Sequence, residues 1–251
     1  MSTFVVAGVT LRELLRRKVQ VNLLLFGVLL ILASSAVSTL TLGHMHRILS
    51  DLGLTAMSLI GTLLAVFLGA SLVAGDVERR VVYPVIAKPV SRSAYLLGRY
   101  LGLGVALVLN LAVMALFLAA LLAVEARGLE PVNVTFGSAV LAMGVQLLVV
   151  GAVAVLFSAV TTPTLASIFA LAVTIAGHLT NDMRAFWRGA EWVATGIWYL
   201  VPNLSALSLN EAVIYAAPVP DGTWIAALYG LLYAAAALAL AAFAFERRDL
   251  R

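Results

Sequence analysis

Few residues in this chain have the type and spacing to do chemistry. His44 and His46, in "HMH", place two imidazoles two residues apart, a spacing that can contribute to a metal site. No further His or Cys stands near them to complete a ligand set, so an exposed polar loop is the plainer reading. The chain has no cysteine, which excludes disulfides, thiolate metal sites and cysteine nucleophiles. It also contains no G-x-x-x-x-G-K-[ST], so it has no phosphate-cradling loop with which to hydrolyse ATP by that route. "NVT" at Asn133 fits a glycosylation sequon, which has meaning only in a eukaryotic secretory pathway.

Charge gathers in one stretch, "AGDVERRVVYPVIAKPVSRSAYLLGRYLG", residues 74–102, which holds Asp76, Glu78, Arg79, Arg80, Lys88, Arg92 and Arg99 together with Pro84 and Pro89. Pro84 suits the first turn of a short helix, where its missing N–H is not needed, and Pro89 ends that helix soon afterwards. Basic flanks alone would serve an anionic-lipid anchor without two prolines bracketing an apolar turn. Five separated cations without stacking aromatics are a poor nucleic-acid footprint, so no nucleic-acid partner is expected. The pattern fits a docking element for another protein, with Tyr83, Val85 and Ile86 inserting into a groove and Glu78, Arg79, Arg80 and Arg92 forming a polar rim.

The elements that must position this segment are membrane helices. Of 251 residues, 63% are hydrophobic and 11% charged, with a mean hydropathy of +1.07, whereas about a quarter of an ordinary soluble domain is charged. Uncharged runs long enough to cross a hydrocarbon core recur along the chain. The spacing predicts an all-α integral membrane protein with six transmembrane helices, at about 19–42, 53–75, 97–124, 137–160, 163–181 and 223–245. The run from Val19 to Leu42 is too long for the h-region of a signal peptide and is read as a retained span. "TTP" at 161–163 is the natural turn between the fourth and fifth spans.

Before the first span, residues 3–18 place Phe4, Ala7, Leu11, Leu14 and Leu15 on one helical face and Arg12, Glu13, Arg16 and Arg17 opposite, as in a helix lying in the interface. Placing both termini inside puts 12 of the 16 Lys and Arg on the cytoplasmic side, with segment 76–96, and the positive-inside rule then sets the orientation. The outer segment 182–222 is apolar, contains or adjoins all four tryptophans and is broken by Pro202, Pro218 and Pro220, so re-entrant or interfacial short helices are expected there.

The six spans hold almost no ionisable residues, which argues against a proton path. Asn110 and Gln146 are read as interhelical hydrogen-bonding groups or, less simply, as residues of a translocation path. Gly98 with Gly102, and Gly230 with Ala234, permit close helix approach, either within the chain or at a dimer seam.

Taken together, "LRELLRRK", "ERRVVYPVIAKPVSRSAYLLGRYLG", "LVPNLSALSLN" and "FERRDLR" make the chain resemble the permease subunits of ABC-2 type ABC transporters over nearly its whole length. The resemblance implies a single transmembrane domain over 1–251 in the bacterial cytoplasmic membrane. It implies an elbow helix at the start, carrying Arg12, Arg16 and Arg17. It also implies a coupling helix over Tyr83 to Lys88, comprising Tyr83, Pro84, Val85, Ile86 and Lys88, with Glu78, Arg79 and Arg80 where the chain enters it and Pro89 and Arg92 where it leaves. The partners implied are a separate ABC ATPase subunit, which would bind ATP and Mg while this chain binds no cofactor of its own, and a second permease chain in a homodimeric 2+2 complex. The chain would then be a non-catalytic subunit of a transporter, an exporter by its family. The outer segment leaves room for an accessory protein. A membrane scaffold that anchors a cytoplasmic partner without transport would use the same loop.

Overall fold

The computed structural model describes residues 3–38, 45–78, 91–126, 128, 131–179 and 201–247. Among them the chain is all-helical. The helices are α1 (Thr3–Leu15), α2 (Lys18–Ser38), α3 (Met45–Glu78), α4 (Arg92–Ala126), α5 (Val134–Val160), α6 (Pro163–His178), α7 (Asn210–Ile214) and α8 (Thr223–Arg247), with a single 3-10 turn at Ser205–Leu207. Helices prevail because a bilayer offers the backbone no hydrogen-bond partner, so a spanning segment must satisfy its own amides.

Five of these, α2, α3, α4, α5 and α8, are long and apolar enough to cross a membrane. The fifth expected span, 163–181, is represented by α6, whose 16 residues extend only about 24 Å, short of a hydrocarbon core of roughly 30 Å. α3 is much longer than the predicted 53–75, and its 34 residues reach about 50 Å. Together with α4 it narrows the predicted 76–96 segment to the stretch between Glu78 and Arg92.

The helix ends follow local rules. Asn133, read from sequence as part of a sequon, is the N-cap of α5, where its Oδ1 accepts from the Phe136 N–H at 3.0 Å. α5 stops at Thr161, whose N–H and hydroxyl both donate to the Phe157 carbonyl, and Pro163 opens α6 at the position where its missing N–H is not needed. His46 sits in the first turn of α3 rather than in a loop, and His44 lies outside the described residues.

α3 is the central helix, packing on α2, α4, α5 and α6, while α5 also receives α8. The buried core runs through Leu64, Leu68 and Leu72 of α3, Leu103 and Leu107 of α4, and Leu147 and Val150 of α5. α2 and α8 sit at the periphery and turn Leu25, Phe26, Leu228 and Leu232 outward, as lipid-facing helices do. The end at which α1 meets the end of α3, the start of α4 and the end of α8 is termed the α1 end. At the opposite, far end, residues 201–209 fold inward, with Val201, Leu204, Leu207 and Leu209 buried and the Leu204 N–H donating to the Gly177 carbonyl at 3.1 Å. A Cβ on Gly177 would stand 2.7 Å from the Pro202 carbonyl oxygen, so this approach requires glycine.

Candidate functional site

α1 is not loosely laid on the bundle. It packs along α4 through Val6, Thr10 and Leu14, with Leu14 and Thr10 fully buried, whereas Phe4, of the predicted apolar face, is 79% exposed. The reason lies in α4, where Gly98 and Gly102 lack side chains at the contact. A Cβ at Gly98 would meet Val6 Cβ at 2.7 Å, and one at Gly102 would meet the Ala7 carbonyl oxygen at 2.7 Å. The two glycines, left open between internal packing and a dimer seam, are used here for internal packing. Gly230 is likewise internal, against Val145 and Leu207.

That close approach brings four charges together. Arg99, in the second turn of α4, is 5% exposed and Asp76, in the last turn of α3, is 4% exposed. The Arg99 guanidinium spreads its donors over three helices: Nη2 donates to Asp76 Oδ2, Nη1 donates to Glu13 Oε2 at 2.6 Å and to Thr10 Oγ1 at 3.3 Å, and Nε donates to the Tyr95 hydroxyl at 3.1 Å. Tyr95 passes its own hydroxyl proton to a hydrogen bond with Asp76 Oδ2. Glu13 is shared, since its Oε1 accepts from Arg17 Nη2 at 2.6 Å, while Arg17 Nη1 donates to Ser71 Oγ at 2.7 Å.

Two guanidiniums therefore face two carboxylates, and the group is formally neutral. A rigid planar fork is the side chain suited to several oxygens at once. Burial pushes the Glu13 carboxyl up, but hydrogen bonds from Arg17 and Arg99 and their positive charges outweigh it, leaving its pKa below the ordinary 4.5. The expectation that the spans hold almost no ionisable residues has its exception here: Arg99, near the start of the predicted 97–124 span, is buried and paired in the body of α4. Its sequence neighbourhood concealed this, because it is the last cation of a charged stretch.

The other expected site residues are placed as follows. Glu78 is exposed at the end of α3. Arg92 opens α4 and its Nη1 donates to the last carbonyls of α8, Phe245 at 3.3 Å and Glu246 at 3.2 Å, where a cation complements the helix dipole. Arg79, Arg80, Tyr83, Pro84, Val85, Ile86, Lys88 and Pro89 lie outside the described residues. Arg12 and Arg16 are exposed on or just after α1, while Arg17 joins the buried network.

Asn110 does not bridge helices: its Nδ2 donates at 2.7 Å to Ala106 within α4. Gln146 does, joining α5 to α6 through His178, with the two Nε2 atoms 2.8 Å apart. His178 Nδ1 lies 2.9 Å from the Thr174 carbonyl and must be the donor there. In the neutral ring Nε2 is then an acceptor for the Gln146 amide N–H.

A further bond at the α1 end ties α5 to α3. The fully buried Ser158 hydroxyl donates to the Ala70 carbonyl at 2.7 Å and accepts from the Val73 and Ala74 N–H groups at 3.1 and 2.9 Å. The base of α3 is thus held on two sides, by Ser158 and by Arg99. Among the described residues no three His, Asp or Glu converge to hold a metal.

No curated protein sequence matches this chain. A family model described as "ABC-2 family transporter protein" matches residues 13–250, from Glu13 of the network nearly to the carboxyl end. With its apolar spanning helices and that match over almost its full length, the chain belongs to the ABC-2 family of membrane transporter proteins.

Proposed function

We propose that this chain is the permease subunit of an ABC-2 exporter and that the stretch between α3 and α4 couples it to a separate ATPase subunit. The observation that supports this most is the network of Glu13, Asp76 and Arg99. Asp76 and Arg99 stand on the two helices that bracket the stretch, and Glu13 stands on the elbow helix. A force applied between Glu78 and Arg92 therefore reaches α1, α3 and α4 as one body. Rigid transmission of this kind is what an ATP-driven change in a partner needs in order to move spanning helices.

In this reading the α1 end is cytoplasmic, in a bacterial inner membrane, and α6 belongs to a sixth span, the one read from the sequence at 163–181. Tyr83, Pro84, Val85, Ile86 and Lys88 enter a cleft of the ATPase, and Glu78, Arg79, Arg80, Pro89 and Arg92 flank them. The ATPase binds ATP and Mg, and two permease chains assemble with two ATPase chains.

The test is reconstitution of the chain with its copurifying ATPase. Arg80→Glu, or deletion of 83–88, abolishes stimulated ATP hydrolysis and transport while the protein remains monodisperse in mild detergent. Stimulation that survives the deletion overturns the assignment, and retention of a partner without nucleotide-dependent motion supports a scaffold instead.

A further inference from the structure

At the far end, between α3, α5, α6 and residues 207–210, lies a cavity of about 480 Å³, within the roughly 300–1,000 Å³ that small-molecule sites occupy. Much of its wall is apolar, and Leu59, Leu171 and Ile175 in that wall are also exposed on the outside of the bundle, so the cavity is continuous with the lipid-facing surface. Among the described residues no Asp, Glu, Lys or Arg lines it.

Its polar groups stand out against the rest of the chain. Thr10, Ser71, Ser138, Ser167 and Thr174 each donate their hydroxyl to a carbonyl three or four residues back, the ordinary way for a helix to satisfy them. Thr55, Ser58 and Thr62 share one face of α3 by their spacing, line the cavity and make no hydrogen bond among the described residues. Thr62 is 8% exposed, Ser58 is half-buried and Thr55 lies at the exposed edge. Across from them Gln146, 2% exposed, spends one amide N–H on His178, which leaves its second N–H and its Oε1 for another molecule. A hydroxyl or amide that faces an apolar space without a partner is unfavourable. The Ser58 and Thr62 hydroxyls and the Gln146 amide, open to one space, mark a site whose ligand supplies the missing hydrogen bonds.

We infer that this cavity binds an uncharged monoacyl lipid that slides in from the surrounding bilayer. Its hydroxyl- or ester-bearing head bonds to Ser58, Thr62 and Gln146, and its chain lies along Leu59, Leu171 and Ile175. A carboxylate or phosphate head is disfavoured because it would be buried without a counter-cation. The inference goes beyond the transport reading and requires no ATPase, so either can fail alone.

The test is photolabelling of the purified chain in phosphatidylcholine nanodiscs with a diazirine-bearing monoacylglycerol, followed by peptide mapping. Label concentrates on residues 55–63 and 171–179 and is displaced by monoolein but not by oleate or lysophosphatidylglycerol. The near-isosteric pair Ser58→Ala and Thr62→Val weakens that displacement roughly tenfold, the size expected for one to two lost hydrogen bonds. Leu59→Trp, at the exposed mouth, blocks labelling and serves as an independent arm if the double variant fails to fold. Label spread over α2 and α8 in proportion to their exposed surface overturns the proposal. So does displacement by oleate equal to that by monoolein, or the absence of saturable label, as for a cavity that holds only water.

Discussion

Arg99 holds Asp76 across the mouth of the stretch that links α3 to α4, and it does so with the same guanidinium that grips Glu13 on α1. One side chain thereby joins three helices that are far apart in sequence or separated by a break. Removing it strands two carboxylates, one of them almost fully buried. Arg99→Met is expected to lower stability by about 3–5 kcal/mol, the loss typical when one partner of a buried ion pair is removed. Thermal unfolding in detergent measures it. Arg99→Lys is expected to recover little, because one ammonium cannot match the separate Nε, Nη1 and Nη2 contacts. Full recovery with lysine would mean that charge alone, and not the fork, matters at this position.

The glycines on α4 give a second expectation. Gly102→Ala would press its new methyl against the Ala7 backbone and is expected to destabilise by about 1–3 kcal/mol, as overpacking does. Gly8, on the other side of the same contact pair, has nothing within 4 Å of a built Cβ. Gly8→Ala is expected to stabilise by about 0.5–1 kcal/mol through helix propensity. Equal effects from the two substitutions would show that α1 does not seat on α4 as described.

Acid is expected to loosen the seat of α1. The Glu13 pKa is depressed in the folded chain, so its contribution is complete above the ordinary carboxyl value of 4.5 and is lost as pH falls through the lower folded value. The acid limb of a stability-against-pH curve is expected to flatten in Glu13→Gln. An unchanged limb would assign acid sensitivity to other carboxylates.

Ser158 supplies a fourth. Its hydroxyl stands between one carbonyl and two N–H groups of α3. Ser158→Ala is expected to cost about 1–3 kcal/mol and to raise hydrogen exchange at Val73 and Ala74. Protection unchanged at those two amides would show that α3 satisfies them without Ser158.

The helical character and membrane placement were legible in the run lengths, because hydrocarbon thickness sets how many apolar residues a span needs. Proline at 163 marked a helix start by local chemistry that needs no tertiary partner, whereas Asn133, read as part of a sequon, proved to be the N-cap of α5. α6 was harder to bound, since an uninterrupted apolar run does not say where its helix leaves regular structure. Which residues of α1 seat on α4 was not legible for a related reason. Apolar periodicity weighs Phe4 above Thr10, yet the notch left by Gly98 and Gly102 accepts Thr10 and leaves Phe4 outside.

The order of apolar runs and the spacing of prolines and glycines are enough to place this chain in a membrane as a helical bundle, since those features act over one or two turns. Which charges meet is settled by packing. Arg99 looked like the last cation of a basic stretch until α1 came close enough to α4 for Glu13 and Asp76 to share its guanidinium. Likewise Ser58 and Thr62 were ordinary helical hydroxyls until α5 and α6 closed a space around them. In both cases the deciding contacts join residues dozens of positions apart, and their chemistry depends on burial that no local pattern reports.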